Sequence, residues 1–211
     1  VPATLIPEGK EVEGLYTDAG CTSALTGTVT GATSVYVKLQ NKTYTITFEL
    51  NGGTLDANYT TNSYTYGSTV TLPDATEATK SNYTLEGWYE DAELTTSATG
   101  IAATDLGNKT FYAKWTLNAG AVEYLVQHYK QELDGSYTLA DTDVLADTDG
   151  ANVTAVAKTY TGFTQTANDS EVTNGTLESG TDLILKLYYD RDEYSVTFHV
   201  GENSDTADIA Y

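Results

Sequence analysis

Few side chains in this 211-residue chain could carry acid–base or nucleophilic chemistry. Its two histidines, His128 and His199, both lie in strand-like runs, and its one cysteine, Cys21, is more simply a small half-buried side chain than a nucleophile. A catalytic triad also needs a positioned serine, and no Gly-x-Ser-x-Gly turn is present to supply one. The sequence also lacks the Cys/His spacing of a zinc site and a Gly-rich phosphate loop.

Carboxylates are so abundant that their number neither supports nor excludes the pair of acids that sugar hydrolysis needs. A glycosidase needs two carboxylates at a fixed separation inside a sizeable cleft, which small repeated modules rarely enclose. We therefore expect this chain not to be an enzyme, with no catalytic residues and no bound cofactor.

Alternate-residue aspartates are the candidates for a metal site. Asp141 and Asp143, and likewise Asp147 and Asp149, place two carboxylates at the spacing from which a turn could gather calcium. An EF-hand loop would also need a third acid, a glycine at its sixth position and a glutamate at its twelfth, and these are missing. Calcium binding is therefore one hypothesis, and solvated turn acids are the simpler alternative.

Adjacent aromatic residues are the candidates for ligand contact. Successive side chains of a strand point to opposite faces, so the two rings of Trp88–Tyr89, Phe111–Tyr112 or Tyr188–Tyr189 cannot share one core. Exposed rings stack on sugars and are enriched at interfaces. The candidate contact residues are Trp88, Tyr89, Tyr112 and Tyr188. The alternative is that the second ring of each pair packs on a loop or on a neighbouring module.

The chain carries 30 acidic and 10 basic residues, for a net charge of −20. This charge repels phosphate backbones and anionic bilayers, so we expect no nucleic-acid partner. No apolar run of about 20 residues is present, so we expect no direct membrane insertion by this sequence. The simplest role of the negative charge is to keep the chain soluble on a crowded surface. A single cysteine excludes an intrachain disulfide, as is common in extracellular bacterial proteins.

The sequence repeats itself, which indicates an array of modules. Residues 86–92 (EGWYEDA) restate residues 13–19 (EGLYTDA), and residues 111–115 (FYAKW) restate residues 35–39 (VYVKL). Residues 194–198 (YSVTF) likewise restate residues 44–48 (YTITF). With no methionine and an interrupted last repeat, we expect the chain to be part of a longer protein.

Period-two alternation predicts strands throughout. Apolar residues share one face of the run from Tyr44 to Leu50, with threonines and Glu49 on the other. Turn residues such as Asn51-Gly52-Gly53 separate the runs. Helix is scarce, and the candidates are Ala92–Leu106 and Asp143–Ala157.

Three ordered blocks resemble the Listeria–Bacteroides repeat, the B-repeat of internalin-type surface proteins. They are the run from Tyr44 closed by Asn51-Gly52-Gly53, the segment Gly87-Trp88-Tyr89 with Asp91, and the run from Thr110 to Trp115. Residues 1–41 are similar to the back half of this module, with leucines where the family usually has aromatics. The resemblance implies small β-grasp-like modules in secreted or wall-anchored bacterial proteins, in which the strands from Tyr44 and Phe111 pair side by side.

The segment from Val122 to Tyr189 is similar instead to the mucin-binding-protein repeats of Gram-positive adhesins, which are ubiquitin-like. Its opening Val122-Glu123-Tyr124, its Asp134-Gly135 and its Tyr160–Phe163 segment carry the similarity. We thus predict a mainly β chain of tandem β-grasp or ubiquitin-like modules in an elongated array. The predicted boundaries are 1–41, a partial repeat; 42–118, a complete repeat; 119–191, the mucin-binding-like module; and 192–211, the start of another.

An intramolecular Lys–Asn amide crosslink, known in some Gram-positive surface modules, is a further hypothesis. The lysines in or beside strand runs are the possible donors, and the sequence does not select an asparagine partner. These lysines are Lys38, Lys42, Lys114, Lys158 and Lys186.

These resemblances favour a non-enzymatic module of a bacterial cell-surface adhesin, anchored to the wall by segments outside this sequence. The expected partners are host glycoprotein or mucin glycans, bound weakly by many copies, and neighbouring repeats of the same chain. One alternative is an accessory carbohydrate-binding module of a secreted carbohydrate-active enzyme. Another is a pure spacer without a ligand.

Overall fold

The computed structural model describes residues 1–31, 33–200 and 205–210, including the side chains of 1–31 and 33–197. Strands dominate, as the alternation predicts, and the one helix among the described residues is a 3-10 turn at Ala3–Leu5. The chain divides into two compact units, Val1–Thr116 and Leu117–Tyr211.

The described residues of the first unit form nine strands. They are β1 (Lys10–Tyr16), β2 (Tyr36–Asn41), β3 (Thr43–Glu49), β4 (Thr54–Leu55), β5 (Ser63–Thr65), β6 (Ala78–Thr79), β7 (Tyr83–Tyr89), β8 (Ser97–Ala98) and β9 (Lys109–Leu117).

A five-stranded sheet in the order β5-β3-β9-β7-β8 forms the centre of this unit. Strands β3 and β9 pair in parallel, with Phe48 opposite Phe111, so the predicted pairing of these two runs is confirmed. The inward residues of both strands, among them Ile46, Phe111 and Ala113, are buried in one apolar cluster. The smaller pairs β1-β2 and β4-β6 complete the unit.

Asn51-Gly52-Gly53 forms the predicted turn after β3. A Cβ atom added at Gly53 would lie 2.3 Å from the ring of Trp115, so only glycine lets this indole pack on the backbone. Trp115 Nε1 then donates to the carbonyl of Leu50 at 2.7 Å. The glycine and the tryptophan, far apart in sequence, thus close the same end of the sheet.

The part of the second unit that the structure describes contains the remaining eight strands. They are β10 (Ala121–Gln131), β11 (Tyr137–Thr148), β12 (Asn152–Thr154), β13 (Phe163–Thr166), β14 (Asn174–Thr176), β15 (Ile184–Arg191), β16 (Ser195–Val200) and β17 (Asp205–Ala210).

Its main sheet has the order β11-β10-β15-β13, and β10 pairs in parallel with β15. The two main sheets therefore share one arrangement, in which the opening and closing strands of a module lie side by side in parallel. Alternate residues of β15, namely Leu185, Leu187 and Tyr189, are buried with Val126 and Leu177. Strands β16 and β17 form a separate antiparallel pair in the region predicted to begin a further repeat.

Both predicted helices are wrong. Residues 92–106 form a turn, the short strand β8 and a bridge between Val70 and Ile101. Residues 143–157 contain the end of β11, a turn at Asp149–Gly150 and strand β12. The β11 residues are held by pairing with β10, and such tertiary pairing overrides a weak helical preference in a Thr- and Gly-containing segment.

Candidate functional site

A lysine–glutamate pair occurs at the same place in both copies of the repeat. Lys114 Nζ of β9 lies 2.7 Å from Glu86 Oε1 of β7, and Lys38 Nζ of β2 lies 2.6 Å from Glu13 Oε1 of β1. The hydrogen bond to its partner raises the pKa of each lysine, and the bond from Lys114 lowers the pKa of Glu86. These pairs lie at the surface, where they fix side-chain geometry more than they stabilise the fold.

Two partly exposed tyrosines lie on the same surface as this pair in the complete copy. The Tyr89 hydroxyl donates to Glu86 Oε1 at 3.2 Å, and Lys114 Nζ lies 5.2 Å from the centre of the Tyr89 ring. Tyr112 and Thr116 share the face of β9 that carries Lys114, because Phe111 and Ala113 alternate with them and point into the core. We call Glu86, Tyr89, Tyr112, Lys114 and Thr116 the outer face.

The partial copy presents the same pattern at its own surface. The residues equivalent to the outer face are Glu13, Tyr16, Tyr36, Lys38 and Gln40. Tyr36 is 40% exposed, and Tyr16 lies near enough to Lys38 to contribute to its raised pKa. One polar–aromatic surface is therefore displayed twice. Sequence reasoning missed the glutamate and lysine, although their repetition at residues 13 and 86 and at residues 38 and 114 is visible.

The turn after each outer face is held by an aspartate. Asp91 accepts hydrogen bonds from the backbone amides of Thr95, at 3.0 Å, and Thr96, at 2.7 Å. Asp18 does the same for Thr22 and Ser23. These amide donors lower the pKa of both carboxyls. The repeated aspartate therefore positions the strand end that carries Tyr89 or Tyr16.

Trp88, a candidate for ligand contact, lies in the core. Its side chain is 4% exposed, its ring packs edge-on to Phe48 at 5.0 Å, and Nε1 donates to the carbonyl of Pro73 at 2.7 Å. A ligand cannot reach this ring in the folded unit. Of the pair Trp88–Tyr89, the tyrosine is the accessible member.

Tyr188 is also covered, although it points away from the main core that contains Tyr189. It is 8% exposed, stacks on Tyr129 with ring centroids 5.1 Å apart, and meets Tyr137 edge-on at the same distance. The second face of this sheet thus has its own tyrosine cluster, in which Tyr129 and Tyr137 cover Tyr188. Tyr188 is therefore covered by side chains of neighbouring strands of its own unit, and not by a loop or another module.

The aspartates proposed for calcium have protein partners. Lys158 Nζ lies 2.5 Å from both Asp141 Oδ2 and Asp143 Oδ1. Partial burial works to lower the pKa of Lys158, but these two carboxylates raise it above its ordinary value. Asp147 accepts from the backbone amide of Thr148 and Asp149 from that of Ser179. Among the described residues no group of three or more His, Cys, Asp or Glu side chains could hold a metal ion.

His128 is fully buried at the centre of a polar network that sequence reasoning missed. Its Nδ1 lies 2.8 Å from the hydroxyl of Tyr189, and its Nε2 lies 3.2 Å from Asp143 Oδ2. The Tyr189 hydroxyl also accepts from the backbone N–H of Lys158 at 2.9 Å. These contacts are satisfied when the Tyr189 hydroxyl donates to Nδ1 and the imidazole N–H at Nε2 donates to Asp143. His128 therefore joins β10, β11 and β15, out of reach of a substrate. His199 lies in β16, and its side chain is outside the described residues.

The described residues contain no helix of the length and apolar character needed to span a bilayer. What the outer face can do chemically is to offer hydroxyl, carboxylate and ammonium groups beside tyrosine rings. Such a surface suits hydrogen bonding and ring stacking with a polar ligand such as a sugar.

Residues 44–114 match the Listeria-Bacteroides repeat domain. The chain is 32% identical over 120 residues to a protein of Evansella cellulosilytica named "Putative Gly-rich membrane protein". The aligned region covers 56% of this chain and 13% of that protein. It is 25% identical over 186 residues to a "Putative membrane protein" of the same organism, covering 83% of this chain and 25% of that one. The chain thus spans a quarter or less of these relatives. The resemblance inferred from the three ordered blocks is confirmed for residues 44–114, which match the Listeria–Bacteroides repeat.

Proposed function

We propose that this chain is a non-enzymatic repeat segment of an extracellular bacterial surface protein, anchored to the cell wall by other segments. The observation that carries the proposal is the recurrence of the outer face, with its Lys–Glu distances of 2.7 and 2.6 Å, in both copies of the repeat. Relatives named as membrane proteins support a location at the cell surface.

The ligands we propose are glycans of host glycoprotein or mucin, bound weakly by each copy. Weak sites on one chain gain avidity because the second binding event is intramolecular. The partly exposed Tyr89 and Tyr112, which share the outer face with Lys114 and Glu86, supply the stacking and hydrogen bonding such a ligand needs. The parallel pairing of β10 with β15 supports a ubiquitin-like, mucin-binding-type second unit, and that of β3 with β9 a β-grasp, internalin-type first unit.

Binding of the whole 211-residue chain to a mucin and glycan array, with and without calcium, tests this proposal. We expect saturable binding that falls when Tyr89→Ala and Tyr112→Ala are combined. It should fall more than additively when Tyr16→Ala and Tyr36→Ala are added, because avidity is lost with the second site. Tyr194→Ala, at a 69% exposed tyrosine outside the outer face, is the matched control.

Two alternatives predict different results. A pure spacer binds no glycan on the array, and its outer-face variants behave like the control. An accessory module of a carbohydrate-active enzyme binds polysaccharide rather than mucin, and its parent polypeptide carries a catalytic domain. Equal loss of binding in the Tyr194→Ala control would contradict the outer face as the site.

A further inference from the structure

The cation of the outer face is already paired with a carboxylate. Lys114 Nζ lies 2.7 Å from Glu86 Oε1 and 3.4 Å from the hydroxyl of Tyr89. The hydrogen bond to Glu86 raises the pKa of the lysine, so the ammonium stays charged and paired at neutral pH. A ligand carboxylate or sulfate could bind this ammonium only by competing with the glutamate that already accepts from it.

A second carboxylate lies beside the tyrosine of β9. Glu49 of β3 is opposite Tyr112 in the sheet, and the preceding Phe48 and Phe111 pack into the core. Glu49 and Tyr112 therefore point to the other side of the sheet, where Glu49 is exposed. A ligand stacked on the Tyr112 ring thus meets a carboxylate on the neighbouring strand, at a strand spacing of roughly 5 Å.

The same side of the sheet continues with hydroxyl groups instead of charges. Thr110, two residues before Tyr112 on β9, is exposed and lies opposite the exposed Thr47 of β3. At the other end of β9, the Thr116 hydroxyl donates to Glu86 Oε2 at 3.2 Å. Hydroxyls both donate and accept hydrogen bonds, whereas ionised carboxylates only accept them. This surface therefore complements a ligand that brings hydroxyl donors and no negative charge.

We infer that the outer face selects neutral saccharides and discriminates against glycans that end in sialic acid or sulfate. The inference rests on the proposed function and names the ligand class of the same site. Neutral sugars stack on Tyr89 and Tyr112 and donate hydroxyl protons to Glu49 and Glu86. An acidic sugar brings its anion beside these carboxylates, in a chain whose net charge is already −20. Glu86 determines this specificity, because it neutralises Lys114.

Binding of the whole 211-residue chain to a matched pair of glycans tests the inference. One glycan ends in galactose, and the other is the same chain with a terminal sialic acid. We expect the sialylated glycan to bind at least about fivefold more weakly at low ionic strength, because its carboxylate is repelled by nearby acids. The ratio should shrink in about 0.5 M salt, since salt screens interactions between exposed charges.

Glu86→Gln tests the residue assigned to specificity. The substitution keeps the shape of the side chain but leaves the charge of Lys114 without a counter-charge. We expect it to narrow the ratio between the two glycans at least about twofold, through stronger binding of the sialylated one. Glu178→Gln is the matched control, because it removes one negative charge at an exposed glutamate outside the outer face and should leave the ratio unchanged.

The possible results separate this inference from the proposed function. Equal binding of both glycans, lost when Tyr89→Ala and Tyr112→Ala are combined, would overturn the selectivity while supporting a glycan site at the outer face. Binding of neither glycan would contradict the proposed function and the selectivity together. A neutral preference that salt and Glu86→Gln both leave unchanged would show that shape rather than charge discriminates, which would overturn the role of Glu86.

Discussion

Nδ1 of His128 lies 2.8 Å from the phenolic oxygen of Tyr189, and both side chains are buried, at 0% and 1% exposure. The two residues sit on neighbouring parallel strands, β10 and β15, and are 61 residues apart in sequence. This contact joins the opening strand of the second unit to its closing strand. Removal of either polar group should therefore reduce the stability of the second unit more than removal of an exposed one.

His128→Leu should lower the free energy of unfolding of the second unit by about 2–4 kcal/mol, because the buried Tyr189 hydroxyl loses its acceptor. Tyr129→Phe removes the partly buried hydrogen bond that the Tyr129 hydroxyl donates to Gln127 on the same strand, and it should lower the free energy of unfolding much less. Hydrogen exchange at the amides of β10 and β15 measures the effect. A double-mutant cycle with Tyr189→Phe should show the two changes to be non-additive; additive losses would mean that the contact contributes nothing.

Alkaline pH should destabilise the second unit through its buried tyrosines. Burial raises the pKa of Tyr189 and of Tyr160 above the ordinary value of 10.0. A group with a raised folded-state pKa contributes stability that is complete below the unfolded value and is lost as pH rises through the folded value. We therefore expect stability to fall above pH 10, with tyrosinate absorbance rising cooperatively with unfolding. Tyrosine titration spread over the ordinary range, without unfolding, would contradict this.

Substitutions at neighbouring Trp88 and Tyr89 should separate packing from binding. Trp88→Ala empties a buried site and should cost about 3–5 kcal/mol, unfolding or severely weakening the first unit. Tyr89→Ala removes a half-exposed ring, so we expect its thermal melt to stay close to that of the parent while glycan binding falls. Circular dichroism melts, followed by array binding of the folded variants, measure both. If Trp88→Ala stayed as stable as the parent, the indole would not be part of the core.

Calcium should change the stability of the native chain little, because Asp141 and Asp143 are already paired with Lys158. We expect millimolar calcium to shift its Tm by less than about 1 °C, since a ligand stabilises only by binding the folded state. In Lys158→Ala the two carboxylates lose their cation, so this variant should be less stable and should regain part of the loss with calcium. Lys186→Ala, at a half-buried lysine outside this pair, is the control. A calcium shift of equal size in the parent and in Lys158→Ala would show that these aspartates are not the site of the effect.

Acid should weaken the same region. The hydrogen bond from Lys158 holds the pKa of Asp141 below its ordinary value of 3.8. A lowered folded-state pKa gives stability that is present above the unfolded value and is lost as pH falls through the folded one. Stability should therefore decline below about pH 4, and less steeply in Asp141→Asn, as chemical denaturation across this range would measure. Identical pH profiles in the two proteins would rule out a contribution from this pair.

Much of the fold was readable from local patterns. Alternation of apolar and polar residues predicted β3 and β15, and the resemblance to the Listeria–Bacteroides repeat implied that the runs from Tyr44 and Phe111 would pair. Alternation succeeds because a strand has two faces at a fixed period of two residues, whatever surrounds it. The turn at Asn51-Gly52-Gly53 was predicted for a similar local reason.

Only the tertiary structure decided which faces are covered. Alternation places Tyr188 opposite Tyr189, but burial of Tyr188 depends on Tyr129 and Tyr137, which come from other strands. The pairing of Lys158 with two aspartates 15 and 17 residues away, and the burial of His128 among three strands, are likewise products of strand packing. The sequence by itself determined the repeat and most of the strands. Strand neighbours, which are non-local, decided which aromatic and charged side chains remain free to bind.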